Sequence, residues 1–231
     1  MSPILGTIYA IFKRLLNLGV LAVKQSAKKT QDMSYQFEKP AKQRILEAAD
    51  HMFRLFGIHA NLDVIARQAH SNIETVQKYF RYEERLLAIF IKSQIKDSEK
   101  VWQDLEGDHP NDPEGCLRFW ISMESDDDLF RPAAVLSRSA AELPRFLKDP
   151  LLDQIERYWQ AERRRVVRLC DAAGFREPRD LADKLLLLVH GSRNERQAYG
   201  HHAPSRMLSQ AGDDLMVAHG AARKPPIFDV D

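Results

Sequence analysis

The sequence predicts an all-α fold, and three observations lead there. Apolar residues recur at three- and four-residue spacing along most of the chain, the period of a helix face. No alternating strand pattern of useful length appears, and no internal repeat. Glycine, proline and capping side chains punctuate the helical patterns where they stop and start.

The first firm element is Ala41 to Phe56. It places Ile45, Leu46, Ala49, Met52, Phe53 and Phe56 on one apolar face, and Gly57 follows where a left-handed helix end favours glycine. Asn61 can cap a second helix carrying Leu62, Ile65, Ala66 and Ala69, with Asp63 favourable in its first turn. After a tight break at His70-Ser71, Asn72 caps a third helix holding Ile73, Val76, Tyr79 and Phe80. Two short helices joined by a tight turn and braced by a longer one make a helix-turn-helix.

A long pattern then runs from Tyr82 to Glu106, followed by a loop at Gly107 to Pro113. Four more helical segments follow: Pro113 to Ser125, Phe130 to Leu143, Leu151 to Ala173 and Pro178 to Gly200. Ser205 to His219 is a shorter last pattern, and residues 221–231 read as a loose tail.

Ahead of all these, Ile4 to Val23 forms an amphipathic helix pattern. Lys13-Arg14 at its centre would cost about 2.5–3.5 kcal/mol each in a membrane-spanning helix, so it does not read as a span. Its charges are also not placed as in a secretory signal. Membrane contact through residues 4–23, docking on the domain, or pairing with a partner all fit such a helix. An alternative start at Met33 would remove residues 1–32 altogether. The expected organisation is therefore a segment and linker over 1–36, a small helical domain over 37–87, a larger one over 88–220, and the tail.

With 231 residues, 44% of them hydrophobic and 29% charged, the chain has an ordinary soluble composition. A net charge of +1 gives no global case for nucleic acid, so any such case is local. Around the short helices, Lys39, Lys42, Arg44, Arg67, Lys78, Arg81 and Arg85 are offset by Glu47, Asp50, Asp63, Glu74, Glu83 and Glu84. Cys116 and Cys170 stand far apart, which suits a reducing cytoplasm and forms neither a disulfide framework nor a zinc site.

Between Arg44 and Leu87 the chain resembles the N-terminal domain of TetR-family transcriptional regulators. The resemblance rests on R-I-L-x-A-A-x-x-x-F-x-x-x-G at Arg44 to Gly57, I-A-x-x-A at Ile65 to Ala69, T-V-x-K-Y-F at Thr75 to Phe80 and E-x-L-L at Glu84 to Leu87. It implies a helix-turn-helix DNA-binding domain followed by a helical-bundle domain for ligand binding and dimerisation. The implied function is that of a homodimeric regulator, a repressor released from its double-stranded operator by a small hydrophobic effector, apolar or aromatic. The family's Ala-Gly-Val-Ser turn is Ala69-His70-Ser71-Asn72 here, its phosphate-touching tyrosine is Gln77, and a usual lysine is Glu83. These departures leave an alternative, the same fold used to bind a lipid or metabolite without operator DNA.

In the third helix, Asn72 and Thr75 suit the major groove and Gln77 can read adenine bidentately. Lys78, Tyr79 and Arg81 suit phosphates, and Lys42, Arg44, Asn61 and Ser71 complete the DNA-facing set. Trp102, Phe119, Trp120, Met123, Phe130, Tyr158 and Trp159 are candidate walls of an apolar ligand site between bundle helices, with ordinary core as the plainer reading. Leu181, Leu185 and Leu188 give the last long patterns surplus apolar surface for a dimer. Arg163-Arg164-Arg165 with Arg168 reads as a solvated face paired to Glu156 and Glu162. His190, His201, His202 and His219 have no Asp, Glu or Cys at ligand spacing, so no metal or cofactor is expected. No phosphate loop, GxSxG or HExxH is present, and nothing points to an enzyme.

Overall fold

The first helical pattern is realised to the residue. Helix α1 spans Ala41–Phe56, and Ile45, Ala49, Met52 and Phe53 are buried on its inner face. Phe56, expected on that face, is instead 66% exposed, because it closes the helix where Gly57 reverses the chain. Gly57 has φ +83°, and its N–H donates to the Phe53 carbonyl, so α1 ends in the left-handed cap that its sequence promised.

A computed structural model describes residues 39–125, 131–143, 150–199 and 207–222. The N-terminal segment, Phe130, His201-His202 and the end of the tail lie outside the described residues. After α1 come α2 (Leu62–Gln68), α3 (Ile73–Tyr79), α4 (Glu83–Asp108), α5 (Pro113–Ser125) and α6 (Pro132–Glu142). Then follow α7 (Pro150–Ala172), α8 (Pro178–Tyr199) and α9 (Leu208–Ala218). The fold is all-α, and no strand occurs among the described residues.

The described chain packs as two units. The smaller comprises residues 39–48 and 62–79, with Ile45, Ala48, Ile65, Ala66, Ala69 and Val76 buried. The larger comprises residues 49–61 and 80–222. The division runs through α1 and falls after Tyr79, not after Leu87. Contacts inside the larger unit account for this: Phe53 meets Phe90 with ring centroids 5.1 Å apart, and Gln94 Nε2 donates to Asp50 Oδ1 at 3.0 Å.

Within the larger unit α7 lies along α8, α4 along α6, and α5 along α9. Their shared core includes Trp102, Leu117, Trp120, Ile121, Val166, Leu185 and Met216. Two sequence-based expectations change here. Leu181 and Leu185, assigned to a dimer surface, are 0% and 1% exposed and belong to the subunit's own core. Among the residues of α8 whose burial is described, the large apolar side chain left outside is Leu187, at 74%. The arginines of α7 find partners on other helices: Arg163 pairs with Asp183 at 2.6 Å, Arg165 with Glu99 at 2.9 Å, and Arg168 with Glu106 at 2.7 Å. Glu162, expected among those partners, is fully buried.

Helix α6 grips the end of α1. Arg138 Nη2 donates to the Phe53 carbonyl at 2.7 Å, and the Ile58 N–H donates to Glu142 Oε2 at 2.7 Å. A Cβ on Gly57 would collide with that carboxylate, whereas one on Gly174, also left-handed at φ +74°, would meet nothing. Gly174→Ala should therefore cost about 1–2 kcal/mol from backbone strain alone. Gly57→Ala should cost more, because it also disturbs the Glu142 contact. Urea denaturation of both variants checks this, and equal losses would mean that Glu142 yields freely.

Candidate DNA-facing helix and ligand cavity

The smaller unit is built around one turn. Helix α2 ends with His70 at φ +49°, a conformation usually left to glycine. The Ser71 N–H donates to the Ala66 carbonyl and the His70 N–H to Arg67, which is the Schellman arrangement with histidine in the left-handed position. Arg44 braces it, its Nε donating to the Ala69 carbonyl at 3.0 Å and its Nη1 to Lys39 at 2.9 Å. Its Nη2 reaches the His70 carbonyl at 3.4 Å. The guanidinium that the sequence suggested for DNA thus points at backbone carbonyls.

Helix α3 starts as its sequence requires. The Thr75 N–H donates to Asn72 Oδ1 at 2.8 Å, the expected side-chain cap. Val76 is 1% exposed and anchors the helix, while Gln77, Lys78 and Tyr79 are exposed. Ile73 and Thr75 are both half-buried, so the separation of inner and outer residues is less sharp than a helical wheel implies. Asn72 and Lys42 are exposed and Ser71 half-buried. Asn61 and Arg81, also exposed, belong to the larger unit. Acidic Glu74 is exposed on α3 itself, and Glu83 and Glu84 in the first turn of α4.

The larger unit holds a small cavity of about 30 Å³, room for roughly two waters. Trp102, Trp120 and Met123 of the expected ligand set line it. Phe119 does not: it is 51% exposed, its ring against His109. Trp159 also falls elsewhere, half-buried with its ring 5.7 Å from His190. Tyr158, offered by the sequence, lines the cavity too, and with it come polar groups that the sequence did not single out for the site, namely Ser98, Glu124, Arg131, Glu162 and Arg193. On α7 the buried stripe runs Ile155, Tyr158, Glu162, Val166, Leu169, a clean helical period with a charge in the middle. A search for aromatic residues alone picks Trp159 beside Tyr158 and skips Glu162.

One ion network forms the cavity's polar wall. Arg193 grips Glu124 with two hydrogen bonds, Nε to Oε2 at 3.1 Å and Nη2 to Oε1 at 2.6 Å. The same Nη2 reaches Glu162 Oε1 at 3.1 Å, and Nη1 lies 3.4 Å from Oε2. His190 Nε2, 3.2 Å from Glu162 Oε2, must be the donor because a carboxylate only accepts. Arg193, Glu124 and Glu162 are 1%, 2% and 0% exposed. Burial pushes the Glu162 carboxyl up, but the charge of Arg193 and the hydrogen bonds from His190 and Arg193 outweigh it and hold the group at about 2. Burial likewise opposes the charge of Arg193, and the two carboxylates keep it well above its ordinary range. Burial, with the charge of Glu162 nearby, pushes Tyr158 up, so it stays a neutral phenol. The Tyr158 hydroxyl and Ser98 Oγ are neighbours, yet neither completes a hydrogen bond of good geometry. Buried hydroxyls in that condition suit a water or a ligand that supplies the missing partner. Cys116 and Cys170 are buried thiols, raised by burial to about 11 and 12, and carry no nucleophile.

Removing the cation should hurt most. Arg193→Met leaves two carboxylates buried without their partner, and the expected loss is about 3–5 kcal/mol in a denaturant titration. Acid should act through Glu162. Because its folded value lies below the ordinary 4.5, the stability that it contributes is complete above pH 4.5 and drains away as pH falls toward 2. Stability measured from pH 7 to pH 2 should show that decline in the wild type and a weaker one in Glu162→Gln.

No family model and no curated protein matches the sequence. Solved structures do match by shape. A TetR transcription regulator from Haloarcula marismortui superposes with a TM-score of 0.63 at 16% identity, covering 78% of this chain and 97% of that one. A putative transcriptional regulator from Saccharomonospora viridis in complex with choline gives 0.64 at 15% identity, covering 78% and 96%. A transcriptional regulator from a Rhodococcus species gives 0.61 at 20% identity, covering 77% and 94%. The fold is that of TetR-family transcriptional regulators.

Proposed function

We propose that this protein is a homodimeric, ligand-responsive regulator that binds operator DNA through α3 and acts as a repressor. The observation that carries the reading is local to the smaller unit. Helix α3 is capped by Asn72, anchored by Val76, and presents Gln77, Lys78 and Tyr79 outward beyond a braced turn. That is the equipment a recognition helix needs for one base contact and adjacent phosphate contacts. Arg44 acts in this scheme by holding the turn and not by reaching a phosphate.

The effector is proposed to bind by widening the cavity of the larger unit, which as it stands holds only about two waters, so that it lies against Trp102 and Trp120 and meets the Tyr158 and Ser98 hydroxyls. The apolar effector expected from the sequence fits only part of that lining, so a small molecule with a polar end is the better match. Coupling is proposed to pass along α6. Pro132 and Ala133 at its start line the cavity, and Arg138 and Glu142 farther along hold the end of α1. Effector binding then changes the spacing of the two reading heads of the dimer, a two-state change that links distant sites.

A second reading, the same fold binding a lipid or metabolite without operator DNA, is favoured by the exposed Glu74, Glu83 and Glu84 around α3. Selection of DNA fragments by the purified chain across a salt series separates the two. Under the first reading, Lys78→Ala weakens binding to all sequences alike and lowers the salt slope by ~1. Gln77→Ala relaxes preference at one base position by about 1–3 kcal/mol. Glu83→Lys tightens binding without regard to sequence. Wild type without any sequence preference at low salt, with Glu83→Lys restoring only unselective affinity, would hand the fold to the second reading.

The dimer is proposed to use the outer face of α8 and α9, where Leu187 stands exposed. Leu187→Glu should yield monomers by ultracentrifugation at micromolar concentration while keeping its helical spectrum. Leu185→Glu should unfold the subunit instead, because Leu185 is core. A wild type that is monomeric at that concentration would sink the dimer.

A further inference from the structure

We propose that Glu177, Asp180 and His219 form a binding site for a divalent transition metal such as zinc, one that joins the start of α8 to the end of α9. None of the three lines the cavity, and the site does not depend on the regulator reading. The ligand-bearing atoms of the three side chains all lie within 4.8 Å of one another. His219 is 8% exposed and held from behind, with its Nδ1 2.7 Å from the Arg176 carbonyl. A carbonyl only accepts, so Nδ1 carries a proton, and in the neutral ring Nε2 is the nitrogen with a lone pair to give a metal. An imidazole whose far nitrogen is fixed on a backbone carbonyl is oriented as metal-bound histidines are.

That lone pair faces another acceptor. Nε2 lies 3.6 Å from Asp180 Oδ2, close to the ~3.4 Å edge of a tetrahedral site with bonds of about 2.0–2.1 Å. Two acceptors at that separation call for a cation between them, and a cation is already there in weaker form. Lys184 Nζ sits 2.5 Å from Asp180 Oδ2 and 3.5 Å from His219 Nε2. Lys184 is half exposed, one turn along α8 from Asp180, and can swing into solvent. Glu177, in the turn before α8, adds the third ligand, and solvent supplies the fourth. One imidazole with two carboxylates and no thiolate suits zinc and its neighbours in the first row better than calcium or magnesium.

The backbone is ready for the bond. The Arg176 N–H donates to the His219 carbonyl at 2.8 Å, and Arg176 Nη2 donates to Ala218 at 2.8 Å. The two segments are therefore already joined, and the metal asks only for side-chain movement, with Lys184 leaving and the ligand atoms drawing closer. Its consequence is to fix the end of α9, the helix proposed above to share the dimer face.

Calorimetric titration of the chelator-treated full chain with Zn²⁺ tests the proposal, with circular dichroism to check folding. One ion per chain is expected for the wild type. Asp180→Asn and His219→Gln should each weaken binding about tenfold or more. Lys184→Ala should tighten it several-fold, because the internal competitor is gone. Should His219→Gln fail to fold, Asp180→Asn decides. No stoichiometric uptake by the wild type overturns the site, even if Lys184→Ala takes up metal, because lysine is then the native cation. Uptake that neither ligand substitution weakens overturns it too, placing the metal elsewhere, for example on His201-His202. A Lys184→Ala affinity no tighter than wild type also counts against it, since the ion would not be displacing the lysine.

Discussion

The larger unit depends on a charge that cannot leave. Arg193 is 1% exposed and shares its guanidinium between Glu124 on α5 and Glu162 on α7, so three helices meet at one ion. Taking three charges out of water costs several kcal/mol each, and mutual attraction returns this only where hydrogen bonds are complete. The Arg193–Glu124 contact is bidentate, and Glu162 gains a further donor from His190. A well-packed apolar trio would serve stability as well or better. What the network adds is register: sliding α7 by a residue against α8 strands Glu162, whereas an apolar core tolerates such slips far more easily. It also gives the cavity a polar wall of fixed orientation, which the tryptophans opposite do not supply.

The sequence revealed those parts of the fold that depend on local chemistry. Gly57 at a left-handed helix end and Asn72 capping α3 follow from the residue itself and one or two neighbours, and both are realised. His70 in a position made for glycine is legible for the same reason. The misses are of another kind. Glu162 looks like a surface charge beside three arginines, and only the stripe from Ile155 to Leu169 shows that it sits on the buried side. Leu181 and Leu185 are apolar whether they face their own bundle or a second subunit, and spacing does not distinguish the two. His219 and Asp180 lie 39 positions apart, so their proximity belongs to the packing of α9 against α8.

The DNA-facing helix shows a different kind of dependence. In this chain the turn gives up a glycine and a buried valine for His70 and Ser71, and a single arginine makes up for them. Arg44 makes hydrogen bonds to the carbonyls of Ala69, Lys39 and His70, tying the turn and the residues just ahead of α1 to α1. A charge-assisted hydrogen bond to a carbonyl is worth about 1.5–3 kcal/mol, on the scale of the strain that a non-glycine residue brings to a left-handed position. The turn therefore keeps its shape by holding the Arg44 guanidinium on backbone carbonyls.

Helix α1 carries the consequence furthest. Its first half belongs to the smaller unit and its second half to the larger. The end in the larger unit is held at two points by α6: Arg138 takes the Phe53 carbonyl and Glu142 takes the Ile58 N–H. Both contacts are to backbone, so they act on the helix as a body and not on a side chain that can change rotamer. Gly57 permits the approach, because any side chain there would push Glu142 away. The glycine that the sequence offered merely as a helix stop is thus also the point where α6 gains its hold.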